Sequence, residues 1–365
     1  MTSTRPIPER GSLRSRAAAR ATQSTLRPIA SRLPFGRGGE RVARVLVEVA
    51  MRACGGIAPG TVVRTVREDG VVGEWVDARA GRRPVEDGAG RRPVEDGAGR
   101  RPVEDGAGRR PVEDGAGRRP VEGGDGSVDT ADPILYLHGS AYAICSARTH
   151  RGLASRLSRA TQRPVFVVDY RLAPEFPFPA AADDVERAYR WLLSNGHAPE
   201  SVVVAGDSAG GHLALDLVLD NARRSVPQPG AVLLFSPLID LTFTLAQNRE
   251  RIRRDPMISA AAARALTALY TRGEDPDGRR LRLAVEAGTA LPHFVVQAGG
   301  AEMLVADAEH LRDLVVDAGG TCTLEIWPDQ MHVFQALPRI SPEADRALAR
   351  AAHALTALHR TETRH

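Results

Sequence analysis

Val202-Val203-Val204-Ala205-Gly206-Asp207-Ser208-Ala209-Gly210-Gly211 reads as a short buried strand, a very tight turn and the first residues of a helix. Gly-x-Ser-x-Gly between strand and helix is the signature of a nucleophile elbow. The turn is so sharp that the serine backbone is strained. Side chains two positions before and after it would collide, which accounts for Gly206 and Gly210. Ser208 then projects from the C-terminal edge of the sheet, where open α/β sheets carry their ligands. The following helix aims its N-terminal amides at negative charge developing there. The pentapeptide alone is a weak signal, because small residues are common in this chain. The strand before it, the helix after it and the extra Gly211 give it weight.

Beyond this turn the pattern is regular from Gly126 onward. Apolar runs at Ile134–Leu137, Val165–Val168, Val202–Ala205, Val232–Phe235, Phe294–Gln297 and Thr323–Trp327 alternate with helical stretches. The helical stretches are Thr149–Thr161, Ala180–Asn195, Ala209–Arg223, Ala260–Arg272, Ala306–Ala318 and Pro342–Leu358, the last with Ser341 as N-cap and Pro342 at its first position. Such alternation predicts an α/β fold, with a mostly parallel central sheet and helices on both faces. Upstream, Thr61–Arg67 and Val71–Asp77 alternate apolar and polar residues around Glu68-Asp69-Gly70, the pattern of a β-hairpin. Residues 236–290 exceed a simple crossover and predict an inserted helical piece near the site.

The 365 residues suffice for one sizeable domain with accessories. No apolar run reaches the roughly 18 residues that span a bilayer. The arginine-rich N-terminus lacks the apolar core of an export signal. Cys54, Cys145 and Cys322 are widely spaced and fit neither a disulfide framework nor a metal cluster, so a cytoplasmic setting is expected. All 49 basic side chains are arginines, which fits GC-rich coding better than phosphate recognition. Aromatics make up 4% of the chain and no nucleic-acid motif is present, so no nucleic-acid partner is expected. The histidines lack ligand spacing and no phosphate-binding glycine loop precedes a lysine, so no metal or other cofactor is expected.

Residues 1–58 read as a leader and a cap helix over Gly39–Cys54, with Val42, Val45, Val47 and Val49 on its apolar positions. Residues 59–365 read as the main domain. Gly-Arg-Arg-Pro-Val-Glu begins at Gly81, Gly90, Gly99, Gly108 and Gly117, so a nine-residue repeat fills 81–126. Each copy offers one valine for burial against two arginines, a proline and two glycines. That cannot offset its ordering entropy. The repeat therefore reads as a disordered loop insertion rather than a solenoid.

A second motif follows the strand Leu135-Tyr136-Leu137, namely His138-Gly139-Ser140-Ala141-Tyr142. A loop in this place supplies backbone amides to a tetrahedral oxyanion, alongside the amide after the nucleophile. Gly139, Ser140, Ala141 and Ala209 are the candidate oxyanion residues. His138 reads as an anchor of this loop. Together with Asp169-Tyr170-Arg171-Leu172-Ala173-Pro174-Glu175, Phe178-Pro179-Ala180-Ala181 and the elbow, this loop resembles the hormone-sensitive-lipase-like family of α/β-hydrolases. The likeness spans the preceding hairpin and Ile134 to the C-terminus. It implies an α/β-hydrolase fold with a helical cap, here residues before about Cys54 and the piece around 240–272. It also implies cleavage of carboxylic esters, usually with short acyl chains. This chain departs from the family in two respects. His-Gly-Ser-Ala replaces His-Gly-Gly-Gly, which keeps the amides but lets Ser140 narrow the acyl pocket, and the repeat is foreign to the pattern.

The triad order in this fold is serine, acid, histidine. His332 lies just beyond the last strand, where the fold carries its base. The family has an acid after the strand Phe294–Gln297, then an apolar residue two positions on, then a second acid. Matching Leu304 to that residue implies Glu302 as triad member, with Asp307 as the alternative acid. Asp169 and Glu175 are expected to tie a loop down with Arg171, Asp207 to support the elbow, and Asp255-Pro256 to turn the chain into a helix. The expected chemistry is attack of Ser208 on a small-molecule ester through an acyl-enzyme, for short to medium acyl chains. An amidase or N-acetyl hydrolase with the same triad, a non-catalytic ligand receptor and a repeat-mediated interaction protein are the rival readings.

Overall fold

Along each central strand the side chains alternate between two buried faces. Leu135, Leu137, Phe166, Val168, Val204, Val232, Leu234 and Val296 enter one apolar core. Their neighbours Ile134, Tyr136, Val165, Val167, Val203, Leu233, Phe235 and Val295 enter a second core on the opposite face. A two-residue period buried on both sides is what a sheet covered by helices requires. The computed structural model describes residues 6–35, 38–79, 132–275 and 277–362. The nine-residue repeat at 81–126 lies outside the described residues.

The strands are β1 (Val62–Glu68), β2 (Val71–Asp77), β3 (Ile134–Leu137), β4 (Val165–Val168), β5 (Val203–Asp207), β6 (Ala231–Phe235), β7 (His293–Gly299) and β8 (Cys322–Trp327). They form one sheet in the order β1-β2-β4-β3-β5-β6-β7-β8. The β1–β2 hairpin and its junction with β4 are antiparallel, and the pairings from β4 through β8 are parallel. This is the mostly parallel α/β sheet that the alternating pattern predicts. The core containing Ile134 and Tyr136 is covered by α4 (Ala147–Thr161) and α10 (Ala344–Glu362). The other face is covered by α5 (Ala180–Ser194), α6 (Ala209–Arg223) and α9 (Val305–Asp317). The inserted piece holds α7 (Thr244–Ile252) and α8 (Ala260–Thr267).

Three local features differ from the sequence reading. The helix at Ala260 stops at Thr267 instead of running to Arg272, and the turns beyond it bring Tyr270 onto Tyr142, with ring centroids 4.0 Å apart. The last helix begins at Ala344, because Ser341 gives its hydroxyl to Gln330 Oε1 at 2.6 Å instead of capping. The loop after β4 pairs differently from expectation. Arg171 meets Asp184 of α5 at 2.9 Å, and Glu175 reaches Arg44 at 2.7 Å. Asp169 accepts the N–H of Ala147 at 3.1 Å. The loop's charged residues thus find partners on three neighbouring helices rather than in one another.

The N-terminal segment forms α1 (Leu13–Ser24), α2 (Leu26–Ala30) and α3 (Gly39–Cys54). Ser12 caps α1 locally, its hydroxyl accepting the Ser15 N–H at 3.2 Å, but the first turn lacks an acid. The acid comes from far along the chain. Glu343 accepts the Ser12 N–H and the Ser15 hydroxyl, each at 2.6 Å. Helix α3 occupies the span its pattern predicts, and its body-facing side is Gly39, Glu40 and Ala43. Of its four valines, Val47 packs against the core, whereas Val42, Val45 and Val49 are exposed.

Burial alone would raise the Glu343 carboxyl, but the Ser15 and Ser12 donors outweigh it and hold the group below the usual carboxylate range. The anchor is therefore fully present above the ordinary carboxylate pKa and is lost as pH falls through the lower folded value. Glu343→Ala is expected to remove about 1–3 kcal/mol of α1 docking. Limited trypsin digestion should then cut faster after Arg14, Arg16 and Arg20 while the sheet stays resistant. Cleavage at the wild-type rate would refute the anchor.

Candidate active site

Ser208 closes β5 and opens α6 with φ 52° and ψ −121°, a conformation costly for any side-chain-bearing residue. Close packing enforces it. A Cβ on Gly210 would lie 1.9 Å from the Leu137 carbonyl oxygen, and one on Gly206 would lie 2.7 Å from that of Gly210. The Ser208 N–H donates to Phe235 O at 3.1 Å, and its own carbonyl accepts from Gly211 and Leu238, each at 2.9 Å. Strand β6 and the loop beyond it thus hold the elbow in place.

Asp207 ties the elbow to the His138–Tyr142 loop. Its Oδ1 accepts from Tyr136 Oη at 2.8 Å and from the Gly139 N–H at 3.1 Å, with His150 Nε2 at 3.3 Å. Burial works against the charge, but His150, Tyr136 and His138 outweigh it and keep the carboxyl below its usual range. The Gly139 N–H is thereby engaged, which narrows the expected oxyanion donors to Ser140, Ala141 and Ala209. Gly139 has no room for a side chain, since a Cβ there would lie 2.2 Å from Asp207 Oδ2. Ser140, Ala141 and Tyr142 follow at φ 82°, 54° and 61°, three left-handed residues in a row. The stack of Tyr142 on Tyr270 and the Ser140 hydroxyl, 2.7 Å from Cys145 Sγ, fasten this strained run. His138 is buried neutral, its pKa pushed down to about 3 by desolvation, and stacks on Tyr170 at 4.1 Å. It anchors the loop.

His332 lies in the loop beyond β8, with Nδ1 2.5 Å from Glu302 Oε2. The other oxygen of Glu302 accepts from the Ser236 hydroxyl at 2.7 Å and from the Gly299 N–H at 2.6 Å. Ser236 also accepts the N–H of Val333 at 3.0 Å, is fully buried and has φ 48°. It therefore joins the acid loop to the histidine loop. The sequence reading missed it, although a Ser-Pro step at the C-terminal end of a central strand was a usable signal. Burial lowers the His332 pKa, but the charge and hydrogen bond of Glu302, with Asp255 and Asp207 behind, raise it above the ordinary value.

Asp307 does not reach His332. Its Oδ1 accepts the N–H groups of Ile239 at 2.9 Å and Asp240 at 2.8 Å. Burial pushes its pKa up to about 7 despite those donors. Asp255 is more than a turn marker, because its Oδ2 accepts the N–H of Met303, beside Glu302, at 2.9 Å. Ser208, His332, Ser140 and Ala141 open on one cavity of about 240 Å³, otherwise walled largely by apolar side chains such as Leu33, Phe35, Val47, Ile144 and Leu266. Among the described residues no group of three or more His, Cys, Asp or Glu side chains is arranged to hold a metal ion.

Residues 134–336 match the family described as the alpha/beta hydrolase fold. Esterase LipU of Mycobacterium tuberculosis is 37% identical over 225 residues, covering 60% of this chain and 75% of that protein. An acetyl-hydrolase of Streptomyces hygroscopicus is 37% identical over 215 residues, covering 59% of this chain and 72% of that one. The crystal structure of an esterase from the bacterial hormone-sensitive lipase family superposes with a TM-score of 0.72. It is 28% identical and covers 93% of this chain and 97% of that one. Sheet order, elbow and these likenesses agree, and the chain belongs to the hormone-sensitive-lipase-like carboxylic ester hydrolases of the α/β-hydrolase fold.

Proposed function

We propose that the chain hydrolyses apolar carboxylic esters through a Ser208–His332–Glu302 triad and an acyl-enzyme. The observation that carries this is the 2.5 Å contact of Glu302 Oε2 with His332 Nδ1, on the cavity that Ser208 also faces. Glu302 fixes the Nδ1–H tautomer of the imidazole and leaves Nε2 free to take the Ser208 proton. Attack on the ester carbonyl puts negative charge on its oxygen, and the N–H groups of Ser140, Ala141 and Ala209 are the donors assigned to it. The alcohol leaves with the proton from His332. Water then attacks the acyl-enzyme by the same route in reverse. The apolar cavity favours short to medium acyl chains over charged substrates.

Three measurements test this reading. On p-nitrophenyl esters of rising chain length, Ser208→Ala should lose about 10⁵–10⁶ in kcat. Unchanged turnover would sink the proposal. Glu302→Gln should lose about 10²–10⁴ in kcat/KM, because the tautomer is no longer fixed, while Asp307→Asn stays active. The reverse order would make Asp307 the acid. The pH profile gives an independent check. His332 acts as base only when neutral, so activity rises with pH through its pKa, which Glu302 holds above the ordinary value. In Glu302→Gln burial acts without the compensating charge, so the acid limb should move to lower pH. An unmoved limb would separate His332 from that titration.

Ser236 acts through its neighbours as a positioning residue. Ser236→Ala leaves the Val333 N–H and one Glu302 oxygen short of a partner, a loss of about 1–3 kcal/mol in stability. Turnover should fall through kcat more than KM. A variant with wild-type kcat and melting temperature would remove Ser236 from the site.

A further inference from the structure

The inward side of α3 helps wall the cavity, and its outward side carries a second apolar surface. Val42, Val45, Leu46 and Val49 recur at the i, i+3, i+4, i+7 spacing that shares one helix face. They are 51%, 63%, 45% and 61% exposed. A helical stripe of this kind is normally the side a helix buries. Leu46 belongs to the stripe and also lines the cavity, as do Leu26 and Ile29 of α2, themselves 37% and 55% exposed. The stripe is therefore continuous with the apolar rim of the cavity. Helix α3 is held to the body along another side, through Arg44 to Glu175 and to the Ala143 and Ala173 carbonyls.

Charge selects the partner. Residues 1–54 carry eleven arginines against three glutamates, so the remaining 311 residues carry a net charge of −4 out of a chain total of +4. The basic excess is concentrated on the segment that bears the stripe, with Arg14, Arg20, Arg32, Arg41 and Arg52 exposed on or beside its helices. An apolar helix face with Arg41 and Arg52 exposed on the same helix, Arg52 also paired with Glu48, and Arg32 beside α2 suits the boundary between headgroups and acyl chains in an anionic bilayer. Pairing two such faces from two copies would bring like charges together. Among the described residues no helix is long and apolar enough to cross a membrane.

We propose that the outward face of α2 and α3 docks on anionic lipid surfaces and sets the mouth of the cavity against the bilayer. Apolar esters dissolved in the bilayer would then enter without crossing water. That last consequence rests on the ester-cleaving reading of the cavity, whereas the docking itself does not. The test is co-sedimentation with vesicles of phosphatidylglycerol mixed with phosphatidylcholine, set against vesicles of phosphatidylcholine alone.

The wild type should sediment with the anionic vesicles and lose that binding as salt rises. The Val45→Glu/Val49→Glu double variant should partition about tenfold less or worse. Because these residues lie outside the cavity, its turnover of a short soluble ester should match the wild type, which also reports that it is folded. Ser208→Ala should sediment like the wild type, so a failure of the catalytic reading would leave docking standing. Equal sedimentation of wild type and double variant, or none by either, would overturn the proposal. So would a dimer, seen by light scattering, that dissociates in the double variant, because the stripe would then belong to a second copy of this chain.

Discussion

The Asp207 carboxylate is the contact on which the rest of the site depends. It sits one residue before Ser208, the proposed nucleophile, at the end of a central strand, and is almost wholly buried. A lone charge there would be expelled or neutralised. Tyr136, Gly139 and His150 converge on one of its oxygens, so the charge survives and becomes a joint. Through that joint the elbow from β5 and the loop from β3 are locked together. Their relative position decides whether backbone amides can meet an oxygen bound near Ser208. The price in free volume falls on glycine, since Gly139, Gly206 and Gly210 stand where backbones touch.

Three buried carboxyls, Glu302, Asp307 and Asp255, lie near one another, and their partners separate their roles. Glu302 has one oxygen on His332 and the other on Ser236 and Gly299. Asp307 and Asp255 both accept from backbone amides, of Ile239 and Asp240 in one case and of Met257 and Met303 in the other. Backbone amides keep their places whether or not the carboxyl is charged, so these two acids fasten loops. Only the Glu302 carboxyl meets a partner that itself titrates. Asp255 acts from behind, holding the amide next to Glu302 and so the arm from which Glu302 reaches the histidine.

Features whose cause is local or strictly periodic were legible in the sequence. The strands between Ile134 and Trp327 stand out because both faces of each are buried, which forces near-continuous apolar runs. The elbow stands out because its steric demand falls on fixed positions, Gly206 and Gly210. Features decided by distant partners were not legible. Ser12 caps helix α1 locally, but the acid that its first turn lacks is Glu343, more than 300 residues away. Ser341 has the chemistry of a cap but spends its hydroxyl on Gln330, and Arg171 passes over the acids beside it for Asp184. Ser236 was missed for the same reason, since its value lies in two loops that converge only in the fold. In the sequence the Gly139 amide reads as a free donor, because nothing there reveals that Asp207 already holds it.

The His138–Tyr142 loop shows how such a site tolerates residues that its backbone disfavours. Ser140, Ala141 and Tyr142 all take the left-handed conformation that glycine adopts at little cost. Each such residue stores roughly 1–3 kcal/mol of strain and persists only where its surroundings over-determine it. Here Tyr142 is pinned between Tyr270 and His212, Ser140 is tied to Cys145, and Tyr170 grips the His138 carbonyl at 2.6 Å. Glycines at these positions would relieve the strain but give the unfolded chain more conformations to lose. Side-chain-bearing residues restrict the loop in both states, and the aromatic clamp absorbs the native-state cost. The loop that faces Ser208 is thus held by packing against α6 and the turns that follow α8. The inserted piece between β6 and β7 therefore helps hold the Ser140–Tyr142 backbone in place, as well as walling the cavity.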